Sequence, residues 1–192
     1  MKIGIFGGTF NPPHIGHLIV AEHARVSAGL DKILFIPAYI SPLKDSGEEI
    51  NAQDRLAMTT LAIDKNPHFE VSDIELKREE KSYTIETIEV LKNKFPSAEF
   101  YLLIGMDNYQ SLQEWKESKK LLATVNILVL NRPEISSSLN QKIDNSKIKF
   151  LSVPNIEVSS TDIRNRIRAG ESVRYSVPDS VFDYIQSHRL YH

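Results

Sequence analysis

The chain has no cysteine among its 192 residues. That absence excludes disulfides, thiolate nucleophiles and Cys-based zinc or iron–sulfur sites, and it fits a reducing cytoplasm. A long apolar run is missing too: the opening MKIGIFGGTF is far too short for a signal peptide or a membrane span, and a polar, proline-containing stretch follows it. A soluble cytoplasmic protein with no membrane partner is the expectation. Positive charge is not in excess either. With 23 Lys and Arg against 25 Asp and Glu the formal charge is -2, without the basic surplus of a nucleic-acid binder. Nucleic acid is therefore not an expected partner, and any anionic ligand has to be held by local geometry. Internal repeats and extended low-complexity tracts are also absent, and a chain of this length suits one domain spanning residues 1–192.

What is present is an alternation of short apolar runs with longer segments of helical period. Lys2 to Phe6, Lys32 to Ile36, Phe69 to Leu76, Glu99 to Ile104, Asn126 to Leu130 and Lys149 to Val153 read as strands. Between them, His14 to Ala28, Ala52 to Lys65, Thr84 to Lys94 and Leu112 to Ala123 read as helices. The rhythm predicts an α/β fold, Rossmann-like and doubly wound: a mostly parallel sheet with helices on both faces and a ligand crevice beyond the carboxyl ends of its strands. Ser41 to Ile50 reads as a surface loop or a lid over the site, and the polar Asn131 to Lys147 as a surface excursion.

Two motifs fall where that crevice should be. The first is GGTFNPPHIGH after the first strand. Gly7 and Gly8 let the backbone turn and let a ligand approach the main chain, while Pro12 and Pro13 suit the start of a helix. His14 and His17, three apart, would share a face of the first turn, where free N–H groups and the helix dipole attract an anion. No Gly-Lys-Ser/Thr follows to make a P-loop, no G-x-G-x-x-G occurs, and the histidines lack the spacing and glutamate of a zinc helix. Phosphate is the ligand this pattern suits, and no metal ligand is assigned.

The second motif is VSSTDIRNRIRAG, Val158 to Gly170. Ser159, Ser160 and Thr161 precede the apolar pair Ile163 and Ile167, which is a capped helix start, and Gly170 is a natural stop. Arg164 in the first turn opposes the helix dipole, a conflict that an anion bound at this helix start would resolve. Two helix starts dressed for phosphate suggest a polyphosphate held between them.

These motifs resemble the signatures of the nucleotidylyltransferase superfamily, a T/H-x-G-H element after the first strand and an S-S-T-x-x-R element late in the chain. The stretches DRLAMTTLAI, SYTIETIEVL, LLIGMDNYQSLQEW, LNRP and YSVPDSVFDYIQSHRLY resemble, in order and spacing, those of bacterial nicotinate-nucleotide adenylyltransferases. The resemblance covers nearly the whole chain. It implies transfer of AMP from ATP to nicotinic acid mononucleotide, giving deamido-NAD and pyrophosphate, with Mg²⁺ arriving on the ATP phosphates. Other acceptors (nicotinamide mononucleotide, pantetheine phosphate) or a non-catalytic nucleotide-binding regulator are the alternatives, and a homodimer is left open.

The resemblance also implies roles. His14, His17 and Arg164 become catalytic contacts to ATP phosphates, with His17 at the α-phosphate. Gly7, Gly8, Thr9 and Phe10 line the substrates through backbone and ring, and Ser159, Ser160, Thr161 and Arg164 cradle the β and γ phosphates. Gly105 and Asp107 meet ribose hydroxyls of either nucleotide, and Arg132 lies near the adenine or a phosphate. On the mononucleotide side stand Phe10, Asn11, Lys44, Thr84, Asp107, Tyr109 and Trp115. Among these, Thr84 opens a helix whose N–H groups would take the nicotinate carboxylate, and Trp115 would stack on the pyridine ring. Asn11 stands where aspartate is frequent in the family, which fits hydrogen bonding better than proton transfer. Leu43 stands where a histidine often precedes the loop lysine.

Overall fold

The computed structural model describes residues 1–40, 50–130 and 146–192. Lys44, Arg132, the Ser41–Ile50 loop except its last residue and most of the 131–147 stretch lie outside the described residues. Six strands form one sheet: β1 (Lys2–Gly8), β2 (Lys32–Pro37), β3 (Phe69–Val71), β4 (Glu99–Gly105), β5 (Asn126–Leu130) and β6 (Ile148–Leu151), ordered β3-β2-β1-β4-β5-β6. Every adjacent pair is parallel. The helices are α1 (Ile15–Ala28), α2 (Ala52–Ile63), α3 (Ile74–Arg78), α4 (Thr84–Lys94), α5 (Met106–Ser111), α6 (Ser118–Thr124), α7 (Ser160–Arg168) and α8 (Asp179–Ser187), with a 3₁₀ turn at Leu112–Glu114. This is the doubly wound Rossmann-like order, in which β1 lies between β2 and β4 and the strand order reverses there.

Strand side chains alternate between faces, and the core divides accordingly. Ile3, Ile5, Leu34, Ile36, Leu102, Ile104, Ile127 and Val129 pack with Ile85, Ile88 and Leu91 of α4 and Leu121 of α6. On the opposite face Ile33, Phe35, Tyr101, Leu103, Leu128 and Leu130 pack with Ala21 and Ala24 of α1. Gly4 belongs to this second face, where a Cβ would crowd the side-chain ends of Ile33 and Leu30. A third cluster joins Met58 of α2 to Ile163 and Ile167 of α7 and to Val181 and Ile185 of α8. Tyr184 Oη donates to Asp54 Oδ1 (2.9 Å) and Ser180 Oγ to the Leu61 carbonyl (3.0 Å), which fastens α8 to α2.

Two elements differ from the sequence expectation. The run read as strand through Leu76 ends at Val71, and Ile74–Arg78 forms a helical turn, because Ser72 and Asp73 interrupt the apolar alternation. The segment read as one helix from Leu112 to Ala123 is broken at Trp115, which is extended (ψ 148°), and at Glu117, which is left-handed (φ 51°). Helical spacing of Leu112, Trp115 and Leu121 survives that break because each side chain still packs toward the same apolar cluster.

Candidate active site

The loop leaving β1 is built to approach something. A Cβ at Gly7 would meet nothing within 4 Å, so the backbone here faces open space, whereas one at Gly8 would lie 3.0 Å from Phe10 Cζ. Phe10 takes a left-handed backbone (φ 50°) that folds its ring back into the core. There it meets Phe6, Phe35 and His17 at ring-centroid distances of 5.8, 5.7 and 5.1 Å. At 2 % exposure the Phe10 ring, expected to line the substrates, is packed in the core against His17. The Asn11–Pro12 peptide is cis, and the prolines precede the helix rather than occupying its first turn, since His14 is the N-cap and Ile15 the first helical residue.

His14 and His17 stack, with ring centroids 3.6 Å apart. The His14 backbone N–H donates to His17 Nδ1 (3.1 Å), which leaves Nε2 as the protonated nitrogen of a neutral His17. His14 is buried, and burial lowers its pKa from 6.5 to about 4. It therefore supplies a neutral N–H donor at pH 7, not a cation. A Cβ at Gly16 would lie 3.0 Å from His14 Nδ1, so the glycine between the two histidines makes room for the first ring. The spacing of the motif is explained by this packing.

The second motif lies directly against the first. Ser160 Oγ donates to the Pro12 carbonyl (2.8 Å) and Arg164 Nη1 to the Asn11 carbonyl (2.9 Å), bridging 148 and 153 positions of sequence. Arg164 Nη2 also reaches Thr161 Oγ1 (3.4 Å). Ser159 caps α7 by accepting from the Asp162 N–H (3.0 Å). The conflict between Arg164 and the helix dipole thus has a partner within the protein, the Asn11 carbonyl. An anion is not needed to explain the arginine, although the start of α7 still presents its N–H groups beside the start of α1. The Ile15 N–H donates to the Ser176 carbonyl (3.0 Å), a third tie between the first motif and the end of the chain.

On the other side of β1 the end of β2 is held from two directions. Arg55 of α2 is fully buried; its Nη1 donates to the carbonyls of Thr9 (2.9 Å) and Ala38 (2.6 Å), and its Nη2 to that of Tyr39 (3.1 Å). The Tyr39 N–H donates to Ser82 Oγ (2.9 Å) and the Ser82 N–H to the Ile40 carbonyl (2.9 Å), which stitches the end of β2 to the start of α4. Thr84 is the first residue of α4, and no side chain caps that helix, while the Glu86 and Thr87 N–H groups donate to the Tyr83 carbonyl (3.1 and 3.3 Å). Beneath it, Glu75 is buried and accepts from Thr87 Oγ1 (2.6 Å); burial raises its pKa, opposed by hydrogen bonds from Thr87 and Ser82.

At the carboxyl end of β4, Gly105 is the N-cap of α5 and Asp107 stands exposed in its first turn. The aspartate is not the cap, and its Oδ1 would lie 2.5 Å from a Cβ at Gly105, so the carboxylate folds over the glycine. Trp115 is half-buried at the margin of the apolar core, and neither its Nε1 nor Tyr109 Oη has a hydrogen-bond partner among the described residues. Tyr109 packs edge-on to Phe150 (5.2 Å). Lys116, next to the tryptophan, pairs with Glu86 (2.6 Å) and lies 4.3 Å from the Tyr83 ring, which ties this turn to the start of α4.

Sequence reasoning passed over Arg55, Gly16, Ser176 and Tyr191. Asp54-Arg55 and the closing Leu190-Tyr191 lay inside stretches that resemble the family, but an arginine in an amphipathic helix gives no local sign of total burial. Among the described residues no group of three or more His, Asp or Glu is placed to hold a metal ion.

A parallel sheet of this order, with the start of α7 joined to the segment before α1, is an α/β architecture of the kind nucleotidyltransferases use. Residues 5–166 match the cytidylyltransferase-like family, and the chain belongs to it. More particularly, it is 42% identical over 190 residues to a protein of Oceanobacillus iheyensis named probable nicotinate-nucleotide adenylyltransferase, covering 99% of this chain and 96% of that one. It is 44% identical over 195 residues to the protein of that name from Dictyoglomus thermophilum, covering all of both. In fold it resembles Plasmodium falciparum nicotinic acid mononucleotide adenylyltransferase complexed with NaAD, with a TM-score of 0.80, 20% identity and 99% and 97% of the two chains covered.

Proposed function

We propose that this chain transfers AMP from MgATP to nicotinic acid mononucleotide, releasing pyrophosphate and forming deamido-NAD. The nucleophile is the mononucleotide's phosphate, already anionic at neutral pH, so no side chain has to attack or to remove a proton. Its oxygen forms a new bond to the α-phosphorus as the bond from that phosphorus to the pyrophosphate oxygen breaks. Catalysis is then a matter of alignment and of stabilising charge that moves onto the leaving group. Mg²⁺ belongs to the nucleotide substrate in this reading.

The observation that carries the reading is the direct joining of the two motifs. Ser160 and Arg164 donate to the carbonyls of Pro12 and Asn11, which brings the start of α7 beside the start of α1 at the carboxyl end of β1. A polyphosphate laid there would meet the positive dipole ends of both helices and the His17 Nε2 donor, which the His14 backbone holds in the required tautomer. His17 is assigned to the α-phosphate, His14 and Arg164 to the neighbouring phosphates, and the starts of α4 and the Trp115 turn to the pyridine end. The uncapped start of α4 favours a carboxylate over an amide there, since a helix N-terminus attracts negative charge.

The test is pyrophosphate release by purified protein with ATP, Mg²⁺ and either nicotinic acid or nicotinamide mononucleotide. Preference for the acid is the expected result. Faster turnover of the amide would overturn the acceptor assignment, and no turnover of either would favour a binding protein without catalysis.

A further inference from the structure

Asn11 is buried between the two phosphate motifs, and its backbone and side chain are gripped from different elements. The backbone carbonyl accepts from Arg164 of α7. The side-chain Oδ1 accepts from the hydroxyl of Tyr191, 180 positions away, at 2.6 Å in a buried contact. Tyr191 is only 6% exposed, its ring lies in the apolar cluster of α2, α7 and α8, and its backbone is left-handed (φ 67°). A non-glycine residue is held in that conformation only where its surroundings require it. Here the chain after α8 turns back, with the Leu190 N–H on the Ile185 carbonyl (3.0 Å), and delivers the ring to Asn11.

In this contact the tyrosine hydroxyl donates and the amide oxygen accepts, which leaves Asn11 Nδ2 as the donor end of the planar amide. We infer that Tyr191 is a positioning residue for adenylyl transfer: it orients the Asn11 amide so that Nδ2 donates to the bound substrate between the two phosphate motifs. The inference rests on the proposed function, and it adds a residue beyond α8 to a site built around β1, β2, β4 and α7. Acting through Asn11, Tyr191 touches no reacting atom itself.

A double-mutant cycle with an NMR readout tests it. Tyr191→Phe keeps the ring that fills the cluster and removes only the hydroxyl, and it should lower kcat/KM about tenfold, the scale of one oriented hydrogen bond. Asn11→Ala should lower it at least as much, and the double variant should match Asn11→Ala alone, because the two changes break one chain of contacts. Independently of activity, the side-chain amide resonance of Asn11, assigned by its loss in Asn11→Ala, should shift or broaden in Tyr191→Phe. An unmoved amide resonance overturns the contact. A Tyr191→Phe rate within twofold of the unmodified protein, or losses that multiply in the double variant, overturns the positioning role. If the unmodified protein turns over neither mononucleotide, the proposed function fails while the resonance still decides the contact.

Discussion

His14, assigned to phosphate in the proposed function, also carries a constraint of the fold. Its ring is packed between His17 and the space that Gly16 leaves, and that burial lowers its pKa to about 4. The unfolded chain takes up a proton near pH 6.5, while the folded chain resists it until about 4. Between those values the unfolded state binds more protons, so stability is fully present above 6.5 and declines as pH falls toward 4, by on the order of 3 kcal/mol from this group. His14→Gln should remove that slope. Urea unfolding of both proteins at pH 6.5 and 4.5 checks this: the variant is expected to lose distinctly less stability over the interval, and equal losses would mean His14 is not held neutral.

At the scale of elements, much of the fold was readable and its joints were not. The strand runs Lys32 to Ile36 and Asn126 to Leu130 and the helix Thr84 to Lys94 were legible because apolar period is a local property that burial on two faces enforces. The break at Trp115 was not legible, because it depends on a backbone turn that local apolar period does not reveal, and the early end of β3 was marked only by Ser72 and Asp73 in an otherwise alternating run. The same division holds in the site. GGTFNPPHIGH and SSTDIR signal helix starts in their own residues, but Arg55 carries its meaning only in the carbonyls it reaches. From that geometry Arg55→Met should leave the Thr9, Ala38 and Tyr39 carbonyls without this donor and cost about 3 kcal/mol. For a chain of this size the melting temperature should drop by roughly 6–12 °C. A drop under about 2 °C would show that the carbonyls find other partners cheaply.

Across the whole molecule, contacts spanning more than a hundred positions converge on one short loop. Ser160, Arg164, Ser176 and Tyr191 all reach residues between Asn11 and Ile15, while Arg55 holds Thr9 from the opposite flank. Such a loop is braced before any ligand arrives, so its donors need little rearrangement when charge develops. In the proposed function the donor to the α-phosphate is His17 Nε2, held in its tautomer by the His14 backbone. The most direct measurement is therefore kcat for pyrophosphate release by His17→Ala at saturating ATP and nicotinic acid mononucleotide, with a thermal melt of the same preparation. The account predicts a fall in kcat of about 100-fold to 1,000-fold with the protein still folded at the assay temperature. A near-normal kcat in the folded variant would contradict it.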